Sequence, residues 1–296
     1  MDVGDLVALT AALGWAMTTV LARHISRVMP SFWYNALRIT IASVVMLAAL
    51  PWTLAHADLS RLTPIAVGLL LVSVLTGFAL GDTSFFESMR RIGVARAAPI
   101  AGCHPLVTAL LAVTFLGEPV TPALVLGVVV ISIGVWLITT DKAGVGPSVG
   151  ARKAMLIGVA LALVAAVGWS TSTVLVRPAL QQVDAIMAST IRLPFATVVL
   201  LLVAGRMGKV DSRRLVLSRG TLAWLLVAGL LTVFAATLYL FAVDLAGAAR
   251  TAALSSVSPI FSATIAVLLL GEQMTRRLAL GMSVSLSGVL AIVLTH

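Results

Sequence analysis

Charge is scarce in this chain. Only 10% of its 296 residues are Asp, Glu, Lys or Arg, where water-soluble domains carry roughly a quarter. A soluble fold is therefore all but excluded. Cysteine is nearly missing as well. Cys103 is the single one and lies inside an apolar run, so no intrachain disulfide can form and the thiol does not reveal the compartment. The opening MDVGDLVALT lacks the basic stretch of a secretory signal, and the apolar run through Val20 is long enough to be a span itself, so no cleavable leader is expected. There is no phosphate-binding Gly-rich loop followed by Lys-Ser/Thr, which leaves a built-in ATPase without support. His-Glu-x-x-His and the nucleophile elbow are missing too. Neither an enzyme activity nor a cofactor or metal site is expected.

What the chain does have is apolar length. Hydrophobic residues make up 60% of it, and the mean hydropathy is +1.11. Stretches of about 20 apolar residues, the length that crosses a hydrocarbon core as helix, recur from end to end. The reading is an all-α polytopic membrane protein with ten transmembrane helices, near 3–22, 31–54, 63–89, 94–116, 120–140, 155–176, 186–205, 220–243, 248–270 and 277–295. The net charge of +9 points to no nucleic acid, because no loop is long enough to be a reading module. Most of the basic residues fall in the loops after spans 1, 3, 5, 7 and 9, and the opposite face has only Arg61, Arg177 and Arg250. The positive-inside rule then puts both termini on the non-cytoplasmic face of a cytoplasmic membrane.

The two halves of the sequence match at an offset of 154. Gly14-Trp15 recurs as Gly168-Trp169, Arg23 as Arg177, Arg38 as Arg192, Pro105 as Pro259 and Gly117-Glu118 as Gly271-Glu272. Gly127 and Gly134 recur as Gly281 and Gly288, and a gap-free alignment holds about forty identities. Residues 1–142 form one repeat, 143–154 a Gly-rich linker, and 155–296 a second repeat. A unit of five spans leaves the chain on the other side of the membrane, so the second copy inserts upside down. Two inverted five-helix repeats, with a substrate site near the midplane where they meet, are a mark of secondary transporters.

Glu118 and Glu272 read first as turn residues after a helix-stopping glycine, with Glu118 and Pro119 opening the next helix. Inversion places the two glutamates on opposite faces. Arg38 enters span 2 from the face of Glu272, and Arg192 enters span 7 from the face of Glu118. Two latches between the repeats are expected, Arg38 with Glu272 and Arg192 with Glu118; snorkelling of each arginine to the headgroups is the alternative. Asp82, deep in span 3 with no basic residue one turn away, is a candidate coupling or substrate carboxylate. Spans 4 and 9 contain Pro105 and Pro259, candidate hinges, beside His104, Ser255 and Ser258, which could line a site. Trp15, Trp169, Phe85, Phe86 and Tyr239 lie well inside spans and could shape a cavity for an amphipathic molecule, or simply pack. Small residues in spans 5 and 10 form packing seams, with a homodimer through those spans possible.

Paired five-span units, each with Gly-Trp in the first span, Arg in the second, Pro in the fourth and a terminal Leu-Gly-Glu, resemble the EamA family of the drug/metabolite transporter superfamily. The resemblance covers nearly the whole chain. It implies a central cavity lined mainly by spans 1, 3, 4, 6, 8 and 9, with 5 and 10 to one side. It also implies export of amino acids or other small metabolites without ATP, by alternating access. The expected partners are a small-molecule substrate and the lipid bilayer. The competing reading is a membrane-embedded enzyme, such as an aspartyl hydrolase using Asp82 and Asp244.

Overall fold

The computed structural model describes residues 2–25, 29–56, 58–92, 97, 100–119, 121–139, 151–206, 218–270 and 275–294. Apart from single turns, these residues form ten helical segments and no strand. The segments are α1 (Val3–Ile25), α2 (Ser31–Ala48, continued by Leu50–His56), α3 (Pro64–Ile92), α4 (His104–Leu116) and α5 (Pro122–Thr139). After them come α6 (Ala151–Leu180), α7 (Ala185–Arg206), α8 (Arg219–Ala246), α9 (Ala248–Ser255, then Ser258–Leu270) and α10 (Arg276–Leu294). Residues 143–150 of the expected linker lie outside the described residues, and 151–154 form the first turn of α6.

Five segments are each long and apolar enough to cross a membrane: α1, α3, α6, α7 and α8. The two parts of α2 meet the same test together, across a bend of 53°. Pro51 explains the bend, since its ring excludes the carbonyl four residues back and it has no N–H to give. Outward-facing side chains are apolar, with Ile65, Phe115 and Leu268 more than 70% exposed. Such a surface is stable against lipid and not against water. The protein is a multi-pass membrane protein.

Inversion of the two repeats is visible in the contacts. Gly127 on α5 lies against the Gly288 carbonyl on α10, where an added Cβ would stand 2.9 Å away. Gly134 lies against the Gly281 carbonyl, at 2.6 Å by the same measure. Gly281 is the repeat mate of Gly127, and Gly288 that of Gly134, so Gly127 touches the mate of Gly134 and Gly134 touches the mate of Gly127. Only a pseudo-two-fold axis relating antiparallel copies produces that exchange. The same exchange recurs away from this seam: Gly14 abuts Ala235, and its mate Gly168 abuts Gly81, the mate of Ala235. The small residues thus serve close helix approach inside one chain.

The helix breaks in α4 and α9 also correspond. Gly102 and Cys103 form a turn before His104, and Ser256 and Val257 form one before Ser258. Pro105 and Pro259 are the second residue of the continuing helix in each case, where a missing N–H costs nothing. Segment α3 is irregular in another way: Leu75–Asp82 is wound as π-helix. Such stretches cluster at functional sites.

Candidate functional site

Arg38 and Asp82 meet at the centre of the molecule. The Arg38 Nη2 donates to Asp82 Oδ2 in an ion pair between α2 and α3. Both are buried, Arg38 at 1% exposure and Asp82 at 8%. Each end of the pair is held by further bonds. Trp169 Nε1 on α6 donates to Asp82 Oδ1 at 2.8 Å, so both carboxylate oxygens are occupied. Arg38 Nη1 donates to Thr232 Oγ1 on α8 at 3.1 Å, and Nη2 to Asn35 Oδ1 at 2.9 Å. Asn35 in turn donates to the Phe78 carbonyl at 3.0 Å, within the π-helical stretch. The π-helical stretch therefore supplies the carbonyl that fixes the residue orienting the guanidinium. Charges in a low-dielectric interior persist only when paired and hydrogen-bonded in this way.

Aromatic rings enclose the pair. The Arg38 guanidinium lies 5.4 Å from the Phe86 ring centre, 5.9 Å from Tyr34 and 6.0 Å from Trp15. Phe85 meets Trp169 edge-on at 5.0 Å, and His104 meets Trp169 edge-on at 5.8 Å. Trp15, Asp82, Phe85, Phe86, His104 and Trp169, singled out separately in the sequence, are thus neighbours around one ion pair. Tyr239 stands apart, its hydroxyl 2.8 Å from Thr173 Oγ1. Ser255 and Ser258 border the α9 break, and Ser255 Oγ and Thr251 Oγ1 are buried without a hydrogen-bond partner in the structure.

The expected latch between Arg192 and Glu118 is corrected. Arg192 does not reach Glu118. Its Nε donates to Ser73 Oγ and its Nη2 to Ser172 Oγ, both at 3.0 Å. Glu118 instead accepts from the backbone N–H groups of Ala248 and Ala249, at 2.8 and 3.0 Å. It caps α9 and not α5, because Gly117 at φ +65° turns the chain back over that helix end. The carboxylate meets the positive end of the α9 dipole there. The α5 cap is Thr121, whose Oγ1 accepts from Leu124 N at 3.1 Å. Glu272 lies outside the described residues, and Arg38 is committed to Asp82. Carboxylate and hydroxyl partners inside the membrane make snorkelling unnecessary for either arginine.

Further ion pairs tie the N-terminal face together. Arg250 Nε and Nη2 grip Asp5 at 2.7 and 2.9 Å. Arg177 Nη1 lies 3.2 Å from Asp244 Oδ1, and Arg61 Nε lies 3.3 Å from Asp58 Oδ2. Asp58 at this surface is held below the usual carboxylate range, chiefly by hydrogen bonds from Ser60 and with a smaller contribution from Arg61. Asp82 and Asp244 belong to different arginines, so the carboxylate pair of the hydrolase reading does not assemble. Among the described residues no group of His, Cys, Asp and Glu is placed to hold a metal ion.

The sequence pattern of the EamA-like transporter family matches residues 2–140 and again residues 156–294. The chain belongs to the EamA-like transporter family. The two matches coincide with the halves related by the pseudo-two-fold axis, so the family unit is one five-helix repeat. An uncharacterized transporter of Archaeoglobus fulgidus is 23% identical over 289 residues, covering 98% of this chain and 97% of its own. The uncharacterized transporter YvbV of Bacillus subtilis is 31% identical over 157 residues, which is 53% of this chain and 49% of that relative. A crystal structure superposes with a TM-score of 0.81 at 21% identity, covering 98% of this chain and 96% of that one, and shows the same fold. Family and relatives agree with the geometry on a membrane transporter.

The pairing of Arg38 with Asp82 was overlooked in the sequence, as was Asn35. One signal could have found it. Arg38 is seven residues past Ser31, and Asp82 is ten residues before Ile92, on a neighbouring helix that ends at the same face. At about 1.5 Å per residue both lie at similar depth.

Proposed function

We propose that the protein is a secondary transporter that exports amino acids or similar small metabolites by alternating access around the Arg38–Asp82–Trp169 centre. One observation carries this reading: the buried, aromatic-walled ion pair sits where the inverted repeats exchange contacts, between α2 and α3 of the first repeat and α6 and α8 of the second. Inverted repeats give two equivalent ways of packing, each open at one end. The matched breaks in α4 and α9 are where these helices flex, with Pro105 and Pro259 as hinges. Orientation belongs to the same proposal. The N-terminal face has only Arg61, Arg177 and Arg250, while most other basic residues lie in the loops of the opposite face, so the N-terminal face is assigned to the outside of a cytoplasmic membrane. A homodimer through the lipid-facing sides of α5 and α10 is compatible with their mutual packing.

The test is counterflow in proteoliposomes. Vesicles preloaded with single solutes should take up the same labelled solute only when the protein is present, and a proton gradient should change the rate if coupling is to protons. Absence of counterflow across a broad solute panel would end the transporter reading.

A further inference from the structure

Arg192 is the repeat mate of Arg38, yet its surroundings differ in one respect. It is 6% exposed, and its side chain bonds to two hydroxyls, Ser73 Oγ and Ser172 Oγ, at 3.0 Å each. The Phe78 ring lies 5.4 Å from its guanidinium carbon. Among the described residues no carboxylate stands within ion-pair distance. The position in the second repeat that corresponds to Asp82 is Ala236. Asp82 itself has one oxygen on Arg38 and the other on Trp169. The centre therefore contains two guanidinium groups and one carboxylate. A hydroxyl offers a dipole and not a charge, so one positive charge is left without its counter-charge at a depth where that is costly.

We infer that Arg192 is the docking site for the carboxylate of the transported solute, which supplies the anion that the second repeat lacks. The inference rests on the transporter reading and adds the substrate class: small organic carboxylates, amino acids included. The planar guanidinium fork suits such a group, because it can donate two parallel N–H bonds to the two oxygens. Ser73 and Ser172, from α3 and α6, hold two of the guanidinium N–H groups until the solute's oxygens compete for them. Phe78 gives the apolar part of the solute a surface beside the charge.

The experiment uses the full chain in phosphatidylcholine nanodiscs and measures equilibrium binding without flux. Probes are matched pairs that differ only in charge: phenylalanine and its amide, leucine and its amide, 3-phenylpropionate and 3-phenylpropanamide. The carboxylate of at least one pair should bind, and its amide should be weaker by roughly a hundredfold. Arg192→Gln should remove that preference. Ser73→Asp provides a control for misfolding, because it sets an internal carboxylate beside the guanidinium. It should keep or raise the melting temperature while abolishing carboxylate binding. No preference for any carboxylate, or an undiminished preference in folded Ser73→Asp, overturns the assignment. Displacement of the bound probe by sodium chloride as effectively as by the same unlabelled carboxylate assigns the site to an inorganic anion and overturns it too. Carboxylate binding without counterflow would support the site while removing the transporter reading; counterflow of amines or neutral solutes without carboxylate preference would do the reverse.

Discussion

Ser285 Oγ donates to the carbonyl of Ile131, and the two residues occupy the same place in the two repeats, 154 positions apart. A residue that touches its own mate lies on the symmetry axis. The pseudo-two-fold axis therefore passes between α5 and α10 at this bond.

Substitution along that axis should be costly. An added Cβ at Gly134 would meet Ser285 Oγ at 2.2 Å and the Ser285 N–H at 2.5 Å. Gly134→Val should lower stability by about 1–3 kcal/mol, read as a fall in melting temperature in detergent. Gly68 on α3 has nothing within 4 Å of such a Cβ. Gly68→Ala should instead raise stability by about 0.5–1 kcal/mol through helix propensity. Equal effects of the two would refute the close approach.

Removing one member of the central pair should cost more than removing both. Asp82→Asn alone leaves the Arg38 guanidinium without a counter-charge and should cost about 3–5 kcal/mol. Arg38→Gln combined with Asp82→Asn should recover part of the loss, and a double-mutant cycle on melting temperature measures the coupling. Neither variant should support counterflow.

Glu118→Ala should shorten the life of the α9 start. Two N–H groups lose their acceptor, and the helix dipole loses its anion, for about 0.5–2 kcal/mol. Glu118→Gln should cost less, because its amide oxygen can still accept one bond. Amide exchange at Ala248 and Ala249 should quicken in both variants, and unaltered exchange would exclude the cap.

Sidedness can be read with a membrane-impermeant thiol reagent in a Cys103→Ala background. Gln182→Cys should label in intact cells, and Ser218→Cys only after permeabilisation. The reverse pattern would invert the proposed orientation.

Fold and duplication were legible because they are written in long-range repetition. Apolar length gives the segments, and paired residues at one offset give the copies. An odd number of segments per copy then forces the inversion that Gly127, Gly134 and their mates display. Partnerships were less legible. Glu118 was read as a cap on the helix that follows it, and nothing local says that the chain folds back to set the carboxylate on α9. Arg38 and Asp82 are 44 residues apart, and only depth within the membrane relates them. The π-helical winding of Leu75–Asp82 has no sequence mark beyond Gly77 and Gly81, yet it contains the carbonyl that holds Asn35.

The two copies differ at the places where Arg192 and Arg38 find their partners. Asp82 faces Ala236 in the alignment, Ser73 faces Val227, and Thr18 faces Ser172. In a perfect inverted duplicate the two end states would be related by the two-fold axis and of equal free energy. A preference for one must then be stored in the mismatches between copies. A handful of unlike pairs, and not the shared scaffold, would decide which side of the membrane the resting protein faces.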